Sequence, residues 1–91
     1  MKYDVFYKKA VKRDIKLIIS RGYNIGKFEK IVDLLREGKK LPSKHKDHAL
    51  SGNYAGYRKC HIESDWLLIY KIENETLTLV LSRTGTHSDL F

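Results

Sequence analysis

Ninety-one residues, 42% of them apolar and 32% charged with a single proline, suit one compact domain and leave too few apolar side chains for a second core. Cys60 is the only cysteine, which excludes an internal disulfide, and no apolar run nears the roughly 18 residues of a membrane span. Eighteen Lys and Arg against eleven Asp and Glu leave a net charge of +7, a balance that points to a polyanionic partner.

The excess is lopsided: Met1 to Lys46 holds 14 basic and 5 acidic residues (+9), Asp47 to Phe91 holds 4 and 6 (−2). All four histidines (His45, His48, His61, His87) lie at or after position 45, so charge and proton-transfer groups are largely separated along the chain. No charged segment leads into an apolar stretch and a small-residue cleavage site, and a cytoplasmic protein is the expectation.

Lys2 to Lys8 alternates, with Tyr3, Val5 and Tyr7 on one side and Asp4 and Phe6 on the other, and predicts a strand. From Lys9 to Ser20, Val11, Ile15, Ile18 and Ile19 form an apolar stripe, opposite a face rich in Lys9, Lys12, Arg13 and Lys16. That basic face suits RNA backbone, or simply solvent. Gly22 and Asn24 end this helix and Asn24 can cap a second, whose stripe of Phe28, Ile31, Val32 and Leu35 stops at Gly38 before Pro42. Lys39 to Gly52 is a polar, basic loop, long for a compact domain. Three strand-like runs follow, Tyr54 to Glu63, Trp66 to Ile72 and Thr76 to Arg83, and Thr84 to Phe91 suits one short helical turn.

The order strand, helix, helix, strand, strand, strand predicts an α+β fold, a small antiparallel sheet of about four strands with both helices on one face and the other face free. The covered face is expected to take Cys60, Ile62, Leu67 and Ile69, leaving Tyr57, Lys59 and His61 on the open one. Arg83 shares the parity of Leu77, Leu79 and Leu81, so a bulge or, as expected here, the strand end must re-aim it.

His48, His61, His87 and Asp65 are the candidates for proton transfer, with Arg83, Arg58 and Lys59 as phosphate partners. Two imidazoles across a scissile phosphate and a cation for the developing charge suffice for metal-free RNA cleavage through the 2′-hydroxyl. Each histidine alone also suits an ordinary surface position. Zinc is disfavoured: His45 and His48 lie three apart with His61 downstream, but Cys60, the one sulfur ligand, should point away from its neighbour His61 on a strand. The same alternation makes Cys60 a buried, inert thiol. Trp66 and Phe91 can stack on bases or pack as core residues.

Lys46 to Lys71, KDHALSGNYAGYRKCHIESDWLLIYK, and Ser82 to Phe91, SRTGTHSDLF, resemble the YafQ branch of the RelE/ParE superfamily of bacterial toxins. The match is detailed over the C-terminal half, whereas residues 1 to 45 agree in element order and in their basic helices. The resemblance implies a microbial-ribonuclease-like fold and a type II toxin, a ribosome-dependent endoribonuclease that cuts translated mRNA without a cofactor. It also implies a cognate acidic antitoxin with a DNA-binding N-terminal part, and operator DNA reached only through that complex. Carried over by position, the catalytic set falls on His48, His61, Asp65, Arg83 and His87. His87 would be the general acid, His48 the base on the 2′-hydroxyl and Arg83 the holder of the scissile phosphate. Asp65 and His61 would orient substrate or tune the imidazoles, with Trp66 and Phe91 supporting. His45 matches no motif of the family. A branch with this fold poisons gyrase and a non-catalytic RNA-binding module would keep only the basic helices, but neither needs the acid–base set.

Overall fold

The structure, a computed structural model, describes residues 2–91. In chain order it comprises β1 (Asp4–Tyr7), α1 (Lys9–Ser20), α2 (Ile25–Arg36), β2 (His48–Ala49), β3 (Arg58–Glu63), β4 (Trp66–Glu73), β5 (Thr78–Gly85) and α3 (His87–Leu90), with short 3-10 turns at Ser43–His45 and Gly52–Tyr54. The sheet runs β1-β5-β4-β3-β2. Both long helices form where the apolar period places them. Asn24 caps α2 by accepting from the Gly26 N–H at 3.0 Å, and Gly38 at φ 75° closes it. Phe28, Ile31, Val32 and Leu35 are all buried. On α1 only Val11 and Ile18 are, and Ile19, expected on the stripe, is 53% exposed.

Four features depart from the expectation. First, the sheet is mixed: β1 pairs parallel with β5, Asp4 opposite Thr78 through Tyr7 opposite Leu81. Second, the predicted loop contains β2 on the edge of β3, and the run from Tyr54 becomes a strand only at Arg58.

Third, β4 is turned the other way. Trp66, Leu68 and Tyr70 join Cys60, Ile62, Leu79 and Leu81 beneath the helices, and Leu67 and Ile69 face the opposite side, where Leu90, Leu50, Tyr54 and Tyr57 cover them. That face is therefore only partly free. A strand buried on both faces shows no alternation to read, and its facing is set by register, here Cys60 opposite Leu68 with a bulge between His61 and Glu63.

Fourth, a bulge rather than the strand end re-aims Arg83. Ile69 pairs with Arg83 and Tyr70 with Leu81, so Ser82 is the extra residue and every side chain after it changes face. Thr84 consequently enters the core, accepting the Trp66 indole N–H at 2.9 Å and donating to the Leu67 carbonyl at 2.7 Å. Thr84→Val keeps the shape and removes both bonds inside the core. It is expected to cost about 1–3 kcal/mol, read as a lower urea midpoint with an unchanged m value.

Candidate active site

The register sets the site out across the sheet. His48 opposes Lys59, Lys59 opposes Ile69 and Ile69 opposes Arg83, so these four share one row on the face away from α1 and α2. In the next row His61 opposes Leu67 and Leu67 opposes Gly85, after which the chain turns into α3 and delivers His87. The His61 and His87 ring centroids are 5.6 Å apart. His48 stands diagonally across from His61, a relation that corresponds to about 7–8 Å between backbones.

Each histidine is held through Nδ1, and among the described residues none of the three has an Nε2 hydrogen bond. The Nδ1–H of His48 donates to the Lys46 carbonyl at 2.7 Å and that of His61 to the Ser64 carbonyl at 3.1 Å. Carbonyl oxygens only accept, so these bonds fix the tautomer. In His87 the Nδ1–H meets Asp65 Oδ1 at 2.5 Å, and the same oxygen accepts the His87 backbone N–H at 2.9 Å. Those two bonds, the backbone one first, hold the Asp65 carboxyl below its usual range. His48 is aimed by its neighbour: Lys46 takes a left-handed φ of 47°, and Asp47 is anchored by the Tyr70 hydroxyl at 2.6 Å and by Arg58 Nε at 3.3 Å.

The tail that carries His87 is fastened at several points. Thr86 and Asp89 form a reciprocal capping box, Arg21 at the end of α1 grips both Asp89 oxygens at 2.6 and 3.0 Å, and Leu90 is buried. A side chain at Gly85 would put its Cβ 2.9 Å from an Asp89 oxygen, so this close approach requires glycine. The Arg21 pairing, ahead of the Thr86 backbone bond, pushes the Asp89 carboxyl far below the usual carboxylate range. Because the folded-state value is depressed, this tie is complete above the ordinary carboxylate range and is lost as pH falls through the depressed value.

Arg83 is oriented from α1: its Nε donates to Asp14 Oδ2 at 2.7 Å and one Nη to Oδ1 at 3.2 Å, and the other Nη has no hydrogen bond among the described residues. Asp14 also accepts the Thr84 backbone N–H at 3.1 Å, where β5 runs past the end of β1 and would otherwise offer an unpaired edge. Phe91 is 61% exposed, with Tyr54 edge-on at 5.8 Å and the Lys59 ammonium 5.3 Å from its ring centre.

Not every candidate joins this group. Arg58 lies on the helix-covered face beside Asp47 and Tyr70, opposite in facing to Lys59. Trp66 is 1% exposed and held by Thr84, so it packs the core and cannot stack on a base. Cys60 is buried, and desolvation pushes its thiol up to about 12, in keeping with an inert residue. Lys9, Lys12, Arg13 and Lys16 are all exposed along α1. His45 donates to the His61 carbonyl at 2.7 Å and so braces the bulged end of β3. Asp14 escaped sequence reasoning, because a lone carboxylate on a basic helix face gives no local sign of a partner 69 positions away.

A groove lies elsewhere, between α2 and the segment around Lys39–Lys46, and of the residues His48, His61, Asp65, Arg83 and His87 its lining includes His61 alone. The histidines themselves stand on an open face, which a long polymeric substrate can cross.

Among proteins of known identity, the mRNA interferase toxin YafQ of Escherichia coli K12 is 39% identical over 89 residues, 97% of this chain and 95% of its own length. The E. coli DinJ–YafQ toxin-antitoxin complex contains a chain that matches with a TM-score of 0.89 and 38% identity over 100% of this chain and 99% of its own. A metal-bound toxin from Helicobacter pylori matches with a TM-score of 0.92 and 35% identity over 100% of both chains. Among the described residues no three His, Cys, Asp or Glu side chains converge, and His87 Nδ1 is committed to Asp65. The family described as bacterial toxin of type II toxin-antitoxin system, YafQ, matches residues 3–91 and so takes in every element of the fold. By that match, and by sheet and sequence alike, the chain belongs to the YafQ family of type II toxins.

Proposed function

We propose that this toxin is an mRNA interferase that cleaves translated mRNA on the ribosome by metal-free acid–base catalysis. The observation that carries this reading is the His87–Asp65 pair beside His61, on the same sheet face as His48 and Arg83. His48 Nε2 takes the proton from a ribose 2′-hydroxyl, the 2′-oxygen attacks the adjacent phosphorus, and His87 Nε2 gives a proton to the departing 5′-oxygen. A 2′,3′-cyclic phosphate and a 5′-hydroxyl result. Arg83, with its second Nη, neutralises charge that builds on the phosphate, and Asp65 keeps the His87 ring turned toward the leaving group. Lys59 and Phe91 border the path of the strand.

End-group analysis of RNA cut on programmed ribosomes tests this. Cyclic or 3′-phosphate with 5′-hydroxyl ends, formed equally with EDTA present, are expected. Chelator-sensitive cutting or 5′-phosphate ends would contradict the mechanism.

The exposed row Lys9, Lys12, Arg13 and Lys16 supplies affinity for ribosomal RNA and no chemistry. Reversing these charges is expected to flatten the log–log dependence of ribosome affinity on salt by somewhat less than one per lost phosphate contact. An unchanged slope would refute that role.

The inhibitor is an acidic antitoxin, as DinJ partners YafQ in the E. coli complex. It is expected to close the mouth of a formed site, because the Arg21–Asp89 pair, the Thr86 cap and buried Leu90 resist displacement of the tail. Hydrogen exchange across residues 84–91 reports this, and deprotection on binding would favour displacement.

A further inference from the structure

On the open face beyond Lys59, the next residue of the same parity on β3's approach is Tyr57, and two lysines from distant parts of the chain converge on it. Lys8, between β1 and α1, donates from Nζ to the Tyr57 hydroxyl oxygen at 2.6 Å, and its ammonium lies 5.0 Å from the ring centre. The Lys71 ammonium, from β4, also lies 5.0 Å from that centre. Lys71 has one carboxylate partner, Glu73 at 2.8 Å, and among the described residues Lys8 has none. Two ammonium groups thus share one ring while only Lys71 has a carboxylate partner, an arrangement with positive charge left to spend on an anion.

Tyr57 is also the end of an aromatic ladder that leads to the acid–base group. Tyr54 stands edge-on to Tyr57 at 6.4 Å and to Phe91 at 5.8 Å, with Lys59 over Phe91. Alternating rings and ammonium groups along one groove are how single-stranded nucleic acid is tracked without reading its sequence. From Lys59 to Tyr57 is two residues, ~6.6 Å at strand rise. Because Lys8 donates to the hydroxyl oxygen, the Tyr57 O–H proton is free for a further acceptor. That bond, the largest influence on the group, also holds the hydroxyl below the usual tyrosine range and makes it a stronger donor.

We propose that Lys8, Tyr57 and Lys71 form a phosphate-binding subsite for the substrate RNA strand, displaced along the open face from the phosphate held by Arg83. The inference rests on the nuclease reading above. The shared chemistry is a sugar-phosphate backbone, and the source is assigned to the mRNA, since the ladder joins the subsite to the reacting groups on the same face.

A fully 2′-O-methylated single-stranded RNA, which lacks the attacking hydroxyl, is the probe. Its affinity is measured against KCl for wild type, Tyr57→Phe and the Lys8→Gln/Lys71→Gln pair, with vacant ribosomes as a parallel ligand and kcat on programmed ribosomes as the control. The double variant is expected to bind the probe roughly tenfold more weakly, with a salt slope flatter by about 0.7 for each lysine, and to keep its kcat. Tyr57→Phe should weaken binding about twofold with the slope unchanged, because it removes a donor and no charge. Wild-type toxin that cuts RNA while the double variant binds the probe normally, or weakens only toward vacant ribosomes, overturns the subsite alone. Wild-type toxin that cuts no RNA overturns the nuclease reading and the subsite with it.

Discussion

His87→Ala is expected to stay folded and to lose about 10² to 10⁴ in kcat, the usual worth of one positioned proton donor. The size follows from placement: among the described residues His87 is the only one of the three site histidines whose Nδ1 is tied to a carboxylate, a bond that leaves Nε2 for the proposed proton transfer. Folding should survive because the side chain is exposed and the tail is fastened by other groups, Leu90, Thr86 and the Arg21–Asp89 pair. The backbone N–H bond to Asp65 is also untouched by the substitution. Turnover on programmed ribosomes, beside far-UV circular dichroism and a urea titration, separates the outcomes. Wild-type turnover would remove His87 from the chemistry, and an unfolded variant would assign it a structural role instead.

Arg83→Gln is expected to cost about 10² to 10³ in kcat, comparable to the loss of one donor aimed at developing charge. Asp14→Asn provides the contrast. It leaves the guanidinium in place but removes the charged acceptor that orients it, so a smaller loss of about tenfold is expected, mostly in kcat. Single-turnover cleavage of both variants tests the pair. If Asp14→Asn lost as much as Arg83→Gln, the carboxylate would be doing more than orienting. Wild-type rates for Arg83→Gln would free the arginine from any catalytic part.

The helices, the C-terminal meander and the open face with Lys59 and His61 were legible in the sequence, because a 3.6-residue stripe and hairpin spacings are local signals. What decides the remainder is non-local. The parallel partnership of β1 with β5 joins opposite ends of the chain and leaves no mark on either strand. The facing of Leu67 and Leu68 could not be read from Trp66 to Tyr70, a stretch apolar at every position. Arg83 posed a visible conflict with its strand, but the remedy was a bulged Ser82 rather than a frayed end, and nothing in the segment Leu81-Ser82-Arg83 distinguishes the two. Arg58 was drawn toward the site by chemical type alone, and Trp66 by chemical type together with the family resemblance. Alternation along β3 already separated Arg58 from Lys59, and a core tryptophan announces itself only once its Thr84 acceptor is in view.

The Arg83–Asp14 pair also bears on how the toxin becomes active as it folds. His61 on β3, Asp65 in the β3–β4 turn and His87 just after β5 are set by adjacent hairpins, whose contacts close short loops. Asp14 reaches Arg83 with α1 from 69 positions away, a separation whose closure costs more chain entropy than a hairpin's. A molecule without that long-range contact would have its imidazoles gathered and Arg83 unaimed, so the proposed constellation depends on one of the contacts of greatest sequence separation in the chain.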